Sequence, residues 1–206
     1  MNTRITIGRE FGSGGRETGL LIARELNIPF YEKEIISRVA DQGEFSRQML
    51  EEYEEKVVFG SFFLPRPAVF SCYSHSISER IFLAQTKVIR QLAEEGPCVI
   101  VGRCADSILK GQAVRVFIHA DIACRVQRKL QQETNIAEKD MERHIRPIDK
   151  KRRSYYQSFT DQMWGDSRNF HLCIDTTQIG PAGAAQVVLT YLNQRTEVCR
   201  DGLPDC

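Results

Sequence analysis

The sequence predicts an α/β fold in which helices cover both faces of a parallel sheet. Three observations lead there. Short apolar runs alternate with longer stretches of helical periodicity. Two of those runs, 98–101 and 114–118, are apolar enough to be strands buried on both faces. Five of the 14 glycines, Gly8, Gly12, Gly14, Gly15 and Gly19, fall between positions 8 and 19, around the turn from the first strand into the first helix.

Taken in order, residues 5–7 read as a short strand. A helix is expected over 16–26, with Leu20, Ala23 and Leu26 on one face and Asn27 able to end it. Residues 28–31 form a short extended piece and 33–40 a second helix. Between 41 and 80 the pattern weakens. There 51–56 reads as a solvated helical segment, Pro65 and Pro67 break structure, and Phe59, Phe62, Phe63 and Phe70 need a partner surface. Ile81, Ala84, Val88 and Leu92 mark an amphipathic helix, punctuated by Gly96 and Pro97. After the strands at 98–101 and 114–118 come a long charged helical region over 121–163, a last strand at 172–174 and a final helix over 181–194. The tail from 201 is expected to be disordered. No internal repeat is visible, and the 206 residues suit one domain.

Composition excludes several classes. Lys plus Arg is 28 and Asp plus Glu is 27, so a net charge of +1 argues against binding nucleic acid or membranes through bulk charge. No apolar run reaches the roughly 18 residues of a membrane span, and no signal-peptide core follows Met1. The seven cysteines are odd in number and form no CxxC pair, so they read as buried free thiols in a reducing cytosol, with Cys206 exposed at the end of the chain. His75, His119, His144 and His171 are scattered and make no metal pattern.

The glycine-rich turn is where backbone amides and a helix N-terminus can cradle phosphate. The dinucleotide pattern fails because its third glycine position is Glu17. The mononucleotide pattern G-x-x-x-x-G-K-[ST] fits in part. Gly15 holds its second glycine and Arg16 the lysine position, while Glu10 replaces the first glycine and Glu17 the hydroxyl residue. Thr18 stands one position late for the usual magnesium role. Downstream, Arg143, Arg146, Lys150, Lys151, Arg152 and Arg153 concentrate cations, with Arg125 and Arg128 one helical turn apart upstream. Near a phosphate loop, such a segment reads as a lid that closes over a donor. Alone it would equally read as a solvated helix face or a nucleic-acid patch.

The stretch from Ile7 to Glu17 resembles the N-terminal signature of the cytidylate kinase-like family, bacterial proteins within the P-loop nucleoside monophosphate kinases. The resemblance continues at 29–34, 99–103, 149–156 and 164–176, in the same order and over most of the chain. It implies a three-layer α/β/α P-loop kinase core with a parallel five-stranded sheet, a helical acceptor-side insertion at 41–80 and a helical lid at 121–163. It also implies ATP-dependent phosphoryl transfer to a nucleoside monophosphate, CMP or dCMP first, with Mg2+. In that picture Gly12, Ser13, Gly14, Gly15, Arg16, Glu17 and Thr18 hold the donor phosphates, Thr18 also meeting magnesium. Arg38, Arg103, Asp149 and Arg152 hold the acceptor, and Arg16, Arg125, Arg128 and Arg152 act in catalysis. Two positions part from the family pattern: acids expected at 101 and 104 are Val101 and Cys104. Two other functions stay open, a kinase for another small acceptor and a nucleotide-binding regulator without catalysis. Expected partners are nucleotides, not membrane or nucleic acid, and 59–70 forms either an acceptor-side flap or a homodimer surface in a cytoplasmic protein.

Overall fold

A computed structural model describes residues 3–50, 77–132 and 136–200. The chain runs β1 (Arg4–Arg9), α1 (Gly15–Leu26), β2 (Phe30–Tyr31), α2 (Glu34–Asp41), α3 (Ile77–Glu95), β3 (Cys98–Val101) and α4 (Ala105–Ile108). It continues through β4 (Val114–His119), α5 (Ile122–Leu130), α6 (Glu138–Thr160), a 3-10 turn (Ser167–Asn169), β5 (Leu172–Asp175) and α7 (Gly180–Arg200).

All five strands are parallel, in the order β2-β3-β1-β4-β5. Ile5 lies beside Val99 on one side and Val114 on the other. Helices α2 and α3 cover one face, where Ile35, Val39, Ile81, Ile89 and Leu92 enclose Ile100. Helices α1 and α7 cover the other, where Ile22, Ala184 and Val188 enclose Ile5, Ile7 and Val116. The result is a three-layer α/β/α sandwich. The chain leaves β1 toward β2 on one side and later reaches β4 on the other, so a crevice opens at the carboxyl ends of the strands around β1.

Helix α1 ends as its sequence requires: Asn27 is left-handed at φ 51°, and its amide reaches back to the carbonyls of Ala23 and Arg24. The charged helical region 121–163 consists of two helices, because α5 stops at Leu130 and Ala137 is extended at φ −67°, ψ 146° before α6 begins. Helices α5 and α6 pack on one another, which a single straight helix could not do. Most of the expected insertion at 41–80, including Phe59, Phe62, Phe63 and Phe70, lies outside the described residues, as does the tail from 201. Phe45 and Leu50 are described, and both are buried with α2 and α3. Among the described cysteines, Cys98 and Cys104 are buried free thiols, but Cys124 is half-buried and Cys173 is exposed. Cys173 belongs to β5, an edge strand of the sheet. No described helix is long and apolar enough to cross a membrane.

Candidate functional site

The glycine-rich turn links the end of β1 to the start of α1. Gly12 at φ 79° and Gly14 at φ 83° take left-handed angles that fold it into a tight loop. Among the described residues, the amides of Gly14, Gly15, Arg16 and Glu17 meet no acceptor, so the first turn of α1 presents open donors. A side chain at Gly14 would face a second obstacle, since its Cβ would lie 2.6 Å from Pro181 Cγ. Gly14→Ala should therefore lose about 1–3 kcal/mol of stability. Thermal unfolding checks this, and an unchanged midpoint would mean that the loop is not held in this shape.

Two expected donor ligands face inward. Ser13 is fully buried and its hydroxyl donates to the carbonyls of Glu10 and Ile118, at 2.9 and 3.1 Å. Thr18 is fully buried and its hydroxyl donates toward the carbonyls of Gly14 and Pro181, at 3.1 and 3.3 Å. Thr18 therefore fastens the loop to the start of α7. Glu17 stands exposed on the first turn. Among the described residues, no group of three His, Cys, Asp or Glu could hold a metal ion.

Arg125 and Asp149 also sit differently from expectation. The Arg125 guanidinium is 7% exposed and bridges Glu10 Oε2, at 3.0 Å, to Asp149 Oδ2. Its Nε donates to the Phe11 carbonyl at 2.8 Å, and Asp149 Oδ1 accepts from the Phe11 amide at 2.7 Å. Asp149 is thus filled by the protein's own donors, and Arg125 ties the loop to α6. Glu10, which interrupts the usual glycine pattern, completes this lock and also accepts from the Ala120 amide at 3.3 Å. Arg128 lies beside the loop, donating to the Gly12 carbonyl at 3.1 Å and to Thr176 Oγ1 at 3.2 Å. No described carboxylate forms an ion pair with Arg128.

A cleft with a volume of about 60 Å³ opens at the carboxyl ends of β1 and β3. Arg9, Arg103 and Arg152 line it together with Asp106, Tyr156 and Trp164. Gly102, Arg103 and Cys104 are left-handed in succession, at φ 78°, 56° and 55°. Two of them are not glycine, so the chain holds a disfavoured shape that sets Arg103 at the cleft. At Gly102 a Cβ would lie 1.9 Å from Arg9 Nη1, so glycine is what admits the Arg9 guanidinium. Arg152 donates to the Arg9 carbonyl at 3.2 Å and lies over the Phe11 ring at 5.4 Å. It keeps an opening to solvent through the cleft but is otherwise desolvated. Burial, then the neighbouring Arg9 charge, push its pKa down to about 9. At the far wall Tyr156 donates to Asp106 Oδ2 at 2.6 Å, and burial raises the pKa of both groups. Burial also pushes the Cys104 thiol well above the usual range, so it is protonated and inert at neutral pH.

Arg38 and Arg16 stay outside this cleft. Arg38 pairs with Glu95 of α3 at 2.6 Å and lies over the Tyr31 ring at 5.6 Å. Arg16 pairs with Glu32 at 2.7 Å. Arg9, Glu32, Asp106 and Tyr156 are site residues that the motif reading did not assign. Arg9, Glu32 and Tyr156 all lie inside stretches that carry the resemblance. Chemically, the arrangement sets a loop of open amides beside a cleft of three guanidinium groups, donors of the kind that suit anions.

The model of the cytidylate kinase-like family matches residues 4–178. An uncharacterized protein from Eubacterium ventriosum is 27% identical, with a TM-score of 0.70 over 93% of this chain and 98% of that one. Shikimate kinase from Acinetobacter baumannii, solved in complex with shikimate, is 16% identical with a TM-score of 0.52, covering 94% of this chain and 96% of its own. Shikimate kinase from Bacteroides thetaiotaomicron is 13% identical with a TM-score of 0.54, covering 93% and 98%. At those identities the two kinases show the shared fold alone. No curated protein matches the chain in sequence.

Proposed function

The chain belongs to the cytidylate kinase-like family, and on that premise we propose that it transfers the γ-phosphoryl group of ATP to an anionic acceptor held by Arg9, Arg103 and Arg152. The observation that carries this reading is the convergence of those three guanidinium groups on one cleft next to the glycine-rich loop. The open amides of Gly14, Gly15, Arg16 and Glu17, with Arg128 beside them, suit the donor phosphates. Charge spreads over the phosphoryl oxygens during transfer, so catalysis is mostly positioning and cation placement. Helices α5 and α6, fastened to the loop through Arg125, hold Arg128 and Arg152 where those oxygens pass. Magnesium supplies charge neutralisation in such reactions and would arrive bound to ATP, because Thr18 is turned into the core.

We read the acceptor as a nucleoside monophosphate, with CMP and dCMP the first to test. Its attacking phosphate oxygen is already an anion, so no general base is required. A second reading, another small anionic acceptor, is favoured by the size of the cleft and by Val101 and Cys104, which stand where the family carries acids. We place the reaction in the cytoplasm, in keeping with the buried free thiols Cys98 and Cys104.

A coupled ADP-release assay over nucleoside monophosphates and small hydroxylated anions tests the proposal, and turnover with CMP or dCMP is the expected result. Turnover with another acceptor, CMP being inert, would sink the cytidylate reading and keep the phosphotransferase. Saturable ATP binding with no turnover on any acceptor would leave a nucleotide-binding regulator.

A further inference from the structure

Glu32 is a charged residue of this site with no part in the proposed chemistry. It follows β2, and its backbone is held at both ends: its amide donates to Glu34 Oε2 at 3.0 Å, and its carbonyl accepts from Arg103 Nε at 3.1 Å. Its carboxylate, 14% exposed, divides between two cations. Oε1 accepts from Arg9 Nη2 at 3.0 Å, and Oε2 accepts from Arg16 Nε at 2.7 Å.

The two cations are not equivalent. Arg9 is enclosed, with its side chain against the Gly15 and Gly102 positions, where added Cβ atoms would lie 2.5 and 1.9 Å from it. Arg16 is 59% exposed and rests over the Phe30 ring at 5.8 Å, on the first turn of α1 where the open amides lie. It can swing and Arg9 cannot. From the proposed reading of the loop as a polyphosphate site, we infer that Glu32 is an internal counter-anion that competes with the donor phosphates for Arg16. In the ligand-free protein the carboxylate draws Arg16 toward the acceptor side. When a polyphosphate reaches the loop, Arg16 exchanges carboxylate for phosphate, and Arg9 keeps the Glu32 charge paired. The guanidinium at the lysine position is thus parked and not absent, and the donor binds against a competitor that the chain carries itself.

Glu32→Gln tests this, because glutamine keeps the shape and an accepting oxygen but removes the charge. MgATP and tripolyphosphate are titrated calorimetrically into the full-length wild type and variant. Both ligands should bind the variant about two- to fivefold more tightly, the range expected when a partly exposed ion pair no longer competes. The gain should shrink in an Arg16→Ala background, where the released guanidinium is missing. A residue with a purely structural role would lower or preserve affinity in both backgrounds. Equal or weaker binding by a folded Glu32→Gln protein, while the wild type still binds, overturns the inference and leaves the phosphate-loop reading intact. If neither ligand binds either protein, both fail together. Should the glutamine variant not fold, Glu32→Asp, which draws the carboxylate back from Arg16 by one methylene, carries the same expectation.

Discussion

Arg125→Met should cost about 3–5 kcal/mol of folding stability, the penalty of removing one member from a buried ionic network. The guanidinium is 7% exposed and is the common partner of Glu10, Asp149 and the Phe11 carbonyl. Methionine would fill much of the volume but leave two carboxylates facing each other across an enclosed space, with no cation between them. Arg125→Lys should lose much of the same energy, because an ammonium cannot reach three acceptors with a planar fork. The decisive companion is the triple change Glu10→Gln, Asp149→Asn, Arg125→Met. It removes the orphaned charges as well as the cation, so it should recover part of the loss even though more of the native network is gone. Urea unfolding curves for the three proteins measure this. If the single and triple variants are equally unstable, Arg125 acts through packing and not as the charge that fastens the loop to α6.

The reason this lock was not legible is chain separation. Arg125 and Asp149 lie on two helices, with Glu10 in a loop more than a hundred residues earlier. No periodicity or spacing rule joins such positions. What could be read was local. Left-handed glycines, apolar strands and the Asn27 stop follow from two or three neighbouring residues, and the sheet and its flanking helices follow from those. Thr18 shows what a local reading leaves out. It stands one position beyond the usual hydroxyl, and one residue on an α-helix is about 100° of rotation. That rotation turns the hydroxyl from the mouth of the loop to the carbonyls of Gly14 and Pro181. Arg38 was legible as a cation on α2, but not its partner, because Glu95 comes from α3. Arg9 was visible in the sequence, yet its role depends on Gly102 clearing space across the neighbouring strand.

Arg152→Met should have the opposite thermodynamic profile: little or no loss of stability and a large loss of activity. Among the described residues no carboxylate forms an ion pair with Arg152, whose contacts are the Arg9 carbonyl and the Phe11 ring. Burial and the Arg9 charge depress its pKa to about 9 from an ordinary 12.5. A guanidinium stays charged in both states, so desolvating it in the fold weakens stability. Methionine keeps the stem and removes that penalty. The same unfavourable charge is what an acceptor anion would relieve, so acceptor binding should raise the melting temperature of the wild type and not of the variant. Removing a donor aimed at developing charge should lower kcat/KM for the acceptor by about 10²–10³. Thermal unfolding with and without CMP, or with whichever acceptor turns over, together with steady-state kinetics, decides the matter. A destabilised variant with near-normal turnover would place Arg152 in the scaffold and leave the cleft without its central anion ligand.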